Sequence, residues 1–190
     1  MILTRCEAVV KNKLVKIELT GKPIDKIPAQ AIVSGLFLRD IPLKGHLGML
    51  DWRLYGFFSQ LLEESKLTGK FRETYLVPTK KKALASHVLI LGLGQKKGFD
   101  EKKIRELTPF VLKSLRRLKI QELVMVPLGW EVFGYTKAIK FFLQEFHRNE
   151  PLFPDLYFKK IIFYIPPEAK QAKPHLAKLL PFIQKKITYA

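Results

Sequence analysis

Two strand–loop–helix units stand in tandem in the middle of the chain, and they limit its fold more than any other feature. The first is His87-Val88-Leu89-Ile90-Leu91-Gly92-Leu93-Gly94, followed by a charged loop and a helical pattern to Leu118. The second is Leu123-Val124-Met125-Val126-Pro127-Leu128-Gly129-Trp130-Glu131-Val132-Phe133-Gly134-Tyr135, followed by a helical pattern to about His147. A short apolar run bounded by glycine reads as a strand buried on both faces. Where such strands feed helices, backbone N–H groups collect at the carboxyl edge of the sheet. That edge is where α/β proteins bind anionic ligands.

The flanking segments extend the pattern. Ile2–Val10 and Lys13–Leu19 read as two strands joined by a tight turn, and Ala31–Phe37 as a buried strand. Leu47, Leu50, Leu54, Phe57, Phe58, Leu61 and Leu62 recur at helical spacing and predict one helix of about four turns. Asp51 falls in its first turn, where an acid favours the helix dipole. Trp52 falls between the core positions and reads as a packing residue with some exposure. Arg72–Val77 is a strand closed by Pro78, and Asp100 is the expected N-cap of the next helix. Thr136–His147 is the helix of the second unit, Tyr157–Ile165 a further strand, and 168–187 a basic amphipathic helix interrupted near Pro174 and Pro181. The expectation is an α/β chain with three layers, α/β/α, around a mixed, mostly parallel sheet. A single domain over residues 1–190 fits the length, which suffices to bury a full core.

Composition removes several classes. Apolar residues make up 47%, which argues against disorder. No apolar run approaches the roughly 20 residues of a membrane-spanning helix, so no membrane partner is expected. The N-terminus lacks the basic and apolar regions of a signal peptide. A single cysteine, Cys6, excludes an internal disulfide and a cysteine zinc cluster, and it fits a reducing, cytoplasmic setting. Cys6 is expected to pack in an edge strand.

Lys and Arg number 34 against 17 Asp and Glu, a net charge of +17. A field of this sign attracts nucleic acid, nucleotides or other polyanions. It equally fits a lysine-rich proteome. The candidate nucleic-acid contacts are the runs Lys80-Lys81-Lys82, Lys96-Lys97 and Arg116-Arg117.

Catalytic motifs are absent. His46, His87, His147 and His175 do not pair at helical spacing, there is no nucleophile elbow or Walker loop, and the acids form no dense cluster. No metal and no cofactor is implied. The loops carry more information. Gly129 and Gly134 flank Trp130-Glu131-Val132-Phe133, which reads either as a phosphate-cradling loop, with Phe133 or Tyr135 stacking on a base or ribose, or as an ordinary turn with its aromatics in the core. Lys44-Gly45-His46-Leu47-Gly48 precedes a helix expected from residue 48 and is placed to bind a phosphate there. The candidate ligand residues are thus Gly45, His46, Gly48, Gly129, Val132, Phe133, Gly134 and Tyr135.

Taken in order, these elements resemble the N-terminal domain of the leucyl (cytosol) aminopeptidases, which has a macro-domain-like fold. The resemblance is carried by Ala31-Ile32-Val33, a glycine-containing loop, a helix with Leu50-Asp51, Leu54 and Gly56, then Gly69-Lys70, and by Val88–Gly94 before a helix with Arg105. Pro127-Leu128-Gly129 and Val132-Phe133-Gly134-Tyr135 resemble the second phosphate loop of macro domains. The resemblance is strongest over 25–150. It implies that both units rim one crevice, with Gly92–Gly94 structural and Gly129–Tyr135 the ligand loop. It implies a non-catalytic module for nucleic acid or for ADP-ribose. The aminopeptidase metal site belongs to a C-terminal domain, so peptidase activity is not expected here. A separate aminopeptidase-like subunit, or further copies of the chain, are the partners implied for a regulatory or oligomerisation domain. The chain departs from macro domains in three places. Ser34, Gly35 and Phe37 replace the usual asparagines, the first loop holds only Gly45 and Gly48, and Glu131 stands where a glycine is expected. These departures argue against hydrolysis of ADP-ribose adducts.

Overall fold

The apolar runs of both units are strands of one seven-stranded sheet. The computed structural model describes residues 4–10, 13–149, 152, 158–167 and 169. Its strands are β1 (Thr4–Val10), β2 (Lys13–Thr20), β3 (Ala29–Phe37), β4 (Thr74–Pro78), β5 (Ala85–Gly94), β6 (Glu122–Met125) and β7 (Lys160–Tyr164). Its helices are α1 (Gly45–Arg53), α2 (Phe57–Glu63), α3 (Glu101–Arg117) and α4 (Trp130–Asn149). The basic helix expected over 168–187 lies outside the described residues, apart from Ala169.

The strand order is β1-β2-β7-β6-β3-β5-β4. The two edge pairs, β1 with β2 and β4 with β5, are antiparallel. The four inner pairings are parallel, with Ile32 of β3 opposite both Val88 of β5 and Val124 of β6. Continuous apolar strands in the centre require cover on both faces. One face packs Val33, Leu89, Leu123 and Phe163 beneath α3 and α4. The other packs Ile32, Val88, Val124 and Ile162 beneath α1 and α2. The result is the mixed, three-layer α/β/α arrangement.

The glycines of the first unit answer to packing. A Cβ on Gly92 would meet the Lys70 carbonyl oxygen at 1.9 Å, so the strand can pass the 69–70 turn only without a side chain. Asp100 caps α3, its Oδ1 accepting from the Lys103 amide at 3.0 Å.

Three local expectations are corrected. The periodic stretch 47–62 is two helices, because Tyr55 (φ 60°) and Gly56 (φ 78°) turn left-handed and end α1. The spacing survives the break, which is why periodicity alone misses it. Asp51 then acts on the second helix rather than on the dipole of the first. It lies late in α1, and its carboxylate accepts from the amides of Phe58 (2.7 Å) and Ser59 (3.1 Å) and from the Ser59 hydroxyl (2.6 Å). Those amides belong to the first turn of α2 and would otherwise lack partners. Trp52, expected to pack, is 71% exposed. Asp51→Ala removes the cap of α2, and we expect a loss of about 2 kcal/mol of stability, read as a lower denaturant midpoint at unchanged slope.

Candidate functional site

The five mutually parallel strands, β2, β7, β6, β3 and β5, deliver their loops to the same edge of the sheet. Past β3, residues 38–44 lead into α1, whose first turn contains Gly45 and His46. Past β6, the Val126 amide still donates to the Val33 carbonyl at 2.9 Å, which holds the second loop against β3. Gly129 follows with φ 72°, and a Cβ there would meet Phe99 Cε1 at 2.4 Å. Residues 130–133 form one helical turn, with the amides of Val132 and Phe133 donating to the Gly129 carbonyl at 2.9 and 3.0 Å. Gly134 (φ 74°, ψ 161°) breaks that turn, and α4 resumes at Tyr135. The helix thus begins within the glycine-flanked loop, ahead of the expected start at Thr136.

A cavity of about 580 Å³ opens between these loops. Gly45, His46 and Met49 of α1 line one side, and Trp130 and Tyr135 of α4 another. Gly21, after β2, and Tyr164 with Pro166, at the end of β7, complete it. Trp130 and Tyr135 stack, with ring centroids 4.6 Å apart and planes 11° apart. The Trp130 indole nitrogen is buried without a hydrogen-bond partner among the described residues.

His46 is the polar centre of the wall. It is 8% exposed, and its Nε2 lies 2.7 Å from Ser34 Oγ within the core. Burial lowers its pKa to about 4, so the imidazole is neutral near pH 7. A neutral ring carries one donor and one acceptor nitrogen, and the bond to Ser34 decides which role Nδ1 takes. Ser34 is itself fully buried, so it orients the ring and is not an accessible nucleophile.

Of the residues singled out from the sequence, the structure brings Gly45, His46 and Tyr135 together on the cavity wall. Gly48 lies one turn along α1, where a Cβ would meet the Leu43 carbonyl oxygen at 2.8 Å. Phe133 packs against Phe99 and Phe141, at centroid distances of 5.9 and 5.3 Å, and Val132 faces outward. Gly129 and Gly134 shape the loop without lining the cavity. The basic runs are dispersed. Lys96 and Lys97 follow β5 at the cavity edge, whereas the Lys80–Lys82 turn precedes β5 and Arg116–Arg117 end α3, both toward the opposite edge. Sequence reasoning missed Ser34, Trp130 and Tyr164 as parts of the site. Only Trp130, directly after Gly129, carried a local signal.

Glu131 brings the rim loops into electrostatic contact. Its pKa is raised to about 7, chiefly by burial, with a further upward push from Asp40 opposed by Lys96 and a backbone hydrogen bond. Its Oε2 is buried without a hydrogen-bond partner among the described residues. Among those residues no group of three or more His, Cys, Asp or Glu could hold a metal ion, and no helix is long and apolar enough to cross a membrane.

The fold is macrodomain-like. A macrodomain of Oceanobacillus iheyensis solved with ADP aligns with a TM-score of 0.73 over 98% of this chain and all of that one, at 11% identity. DarTG of Thermosipho africanus, in complex with ADP-ribose, aligns at 0.60 over 87% of this chain and 46% of that one, at 15% identity. The chain belongs to the cytosol aminopeptidase family, whose N-terminal domain matches residues 29–147. It is 26% identical to the probable cytosol aminopeptidase of Sulfurihydrogenibium sp. over 145 residues, which are 76% of this chain and 29% of that protein. A second probable cytosol aminopeptidase, from Persephonella marina, is 29% identical over 109 residues, 57% of this chain and 22% of that protein. The chain therefore spans under a third of the length of these relatives.

This half-buried acid yields a pH signature. Between about pH 4.5 and 7 the native chain keeps a proton on Glu131 that the unfolded chain releases. This residue therefore makes stability fall as pH rises through that window. Glu131→Gln cannot ionise. Its stability relative to the parent should rise across the same window and exceed it by up to about 3 kcal/mol above neutrality, measured by urea titration at successive pH values.

Proposed function

We propose that the chain is a macrodomain-like module that binds a nucleotide of the ADP-ribose class in the cavity at the carboxyl edge of its sheet. The observation that carries this is the composition of the cavity wall. It joins the N-terminal turn of α1, a neutral buried imidazole and a stacked Trp–Tyr pair in one space of about 580 Å³. That volume lies within the roughly 300–1,000 Å³ typical of small-ligand sites. A base or ribose needs flat apolar surface, which Trp130, Tyr135 and Tyr164 supply. A diphosphate needs oriented N–H donors, which the start of α1 supplies. His46 adds a donor or an acceptor inside a site of low dielectric. Structural neighbours solved with ADP and ADP-ribose support the choice of ligand class.

Glu131 sets a condition on this function. An ionised carboxylate repels phosphate, and at the rim it is half protonated near neutral pH. Nucleotide affinity should therefore weaken as pH rises above 7. Peptide hydrolysis is not assigned to this module, since its family match is to the N-terminal domain.

A second function, binding of a polyanion by the outer surface, is favoured by one observation: the excess of 34 basic over 17 acidic residues. It is compatible with the first, because most of that charge lies away from the cavity.

Calorimetric titration with ADP-ribose tests the nucleotide assignment. Saturable heat is expected, with affinity reduced roughly tenfold in His46→Gln, or about 1.4 kcal/mol, and raised above pH 7 in Glu131→Gln. Absence of heat at millimolar ADP-ribose would remove it.

A further inference from the structure

The flank formed by α1 and α2 exposes aromatic surface that the core does not use. Trp52 is 71% exposed and Tyr55 81%, and both lie at the end of α1 that points away from the cavity. Phe57, the first residue of α2, and Leu84, in the β4–β5 turn, are also exposed. Large apolar residues scattered singly over a surface need no explanation, but a contiguous group does.

Here the exposed rings are bordered by cations. The Lys82 ammonium donates to the Tyr55 hydroxyl at 2.7 Å and lies 4.7 Å from the centre of its ring. The Arg53 guanidinium lies 4.9 Å from the centre of the Trp52 ring, and its Nε is 2.9 Å from the buried Asp25 carboxylate. The Leu84 amide donates to the Asp25 carbonyl at 2.9 Å. Two sets of contacts thus link the end of α1 to the β4–β5 turn, Tyr55 with Lys82 and Arg53 with Asp25 and Leu84.

The rings are held in place. Tyr55 keeps a left-handed backbone (φ 60°), a conformation that an aromatic residue rarely adopts. Its amide donates to the Trp52 carbonyl at 3.1 Å, and the next amide, Gly56, to the Asp51 carbonyl at 2.9 Å. The three-lysine turn is equally fixed. The buried Thr79 donates its hydroxyl to the Ala85 carbonyl at 2.6 Å, and the Lys82 amide donates to the Thr79 carbonyl at 2.9 Å. Lys80, Lys81 and Lys82 all project from that anchored turn into solvent.

We propose that this flank is a platform for a single-stranded nucleic acid, with unpaired bases stacked on Trp52 and Tyr55 and phosphates on the Lys80–Lys82 turn. Exposed rings bordered by cations are the combination that an unpaired strand needs, since every base offers a flat π face and every linkage a negative charge. A duplex hides its base faces and cannot use the rings. Charge complementarity favours this occupant over a protein surface: Asp25 is buried against Arg53, whereas all three lysines of the turn are exposed. The proposal rests on the polyanion-binding function above and adds its site and its strand preference. It is independent of the cavity, which opens at the other edge of the sheet.

Fluorescence anisotropy with labelled oligo-dT and with a duplex of equal length, between about 50 and 200 mM salt, tests it. The expected result is tighter binding of the single strand, with quenching of Trp52 emission, followed in a Trp130→Phe background. Trp52→Ala and Tyr55→Ala should each weaken single-strand binding roughly tenfold. Both side chains are exposed, so folding is retained, and ADP-ribose titration serves as the control. Lys80→Glu with Lys81→Glu and Lys82→Glu should lower the salt slope by about 2. Equal affinity for duplex and single strand, with no loss in the Trp52 and Tyr55 variants, would overturn the platform while leaving polyanion binding intact. No binding of either nucleic acid at low salt would overturn both. A change of oligomeric state in Trp52→Ala with unchanged oligonucleotide affinity would also overturn it, marking the flank as a contact between copies.

Discussion

The cavity edge depends on β3 being paired on both sides by parallel strands. β5 and β6 bond to its two edges in register, Ile32 standing opposite Val88 on one side and Val124 on the other. Parallel pairing sends the loops after all three strands to the same edge. The Val126–Val33 bond then carries the second loop one residue beyond β6 while still tied to β3. Gly92 belongs to the same constraint, because β5 reaches its pairing length only by passing the Lys70 carbonyl without a side chain. With β3 fixed in this way, Ser34 is locked in the core and His46 meets it at 2.7 Å. The imidazole therefore enters the cavity wall already oriented and uncharged.

The same edge contains an opposing force. Glu131 lies in the short helical turn that begins at Trp130, yet it is a half-buried acid near Asp40 and only partly offset by Lys96. A residue that reduces stability as it ionises couples the fold at this edge to proton concentration and, under the proposed nucleotide function, would couple affinity to it as well. The opposite edge follows a different logic. There the chain exposes rings and lysines on anchored turns, with Asp51 both ending α1 and starting α2 so that Trp52 and Tyr55 face outward. One sheet thus separates the cavity from an exposed cationic surface.

Much of the architecture was legible in the sequence. Apolar runs closed by glycine marked β5 and β6, and alternation with helices implied a mostly parallel sheet, because these signals depend on burial over many residues. The resemblance to aminopeptidase N-terminal domains was legible in the order of those elements. The break between α1 and α2 was not, since Leu54, Phe57 and Leu61 keep helical spacing across it and only the left-handed Tyr55–Gly56 pair interrupts the helix. Within the site, Gly45, His46 and Tyr135 were legible as loop residues beside helix starts. Phe133 looked equally available for stacking, but the Gly129 turn rotates it onto Phe99 and Phe141. Ser34, twelve residues from its histidine partner, and Tyr164, on a strand distant in sequence, left no local trace, because their roles arise only when the strands assemble.

Under the proposed function the cavity edge, and no other surface, receives a nucleotide diphosphate. Amide chemical-shift mapping with ADP-ribose tests it most directly. We expect saturable shifts at Gly21, Gly45, His46, Trp130, Tyr135 and Tyr164, with the Lys80–Lys82 turn unmoved. Shifts confined to that turn, or none at millimolar ligand, would contradict it.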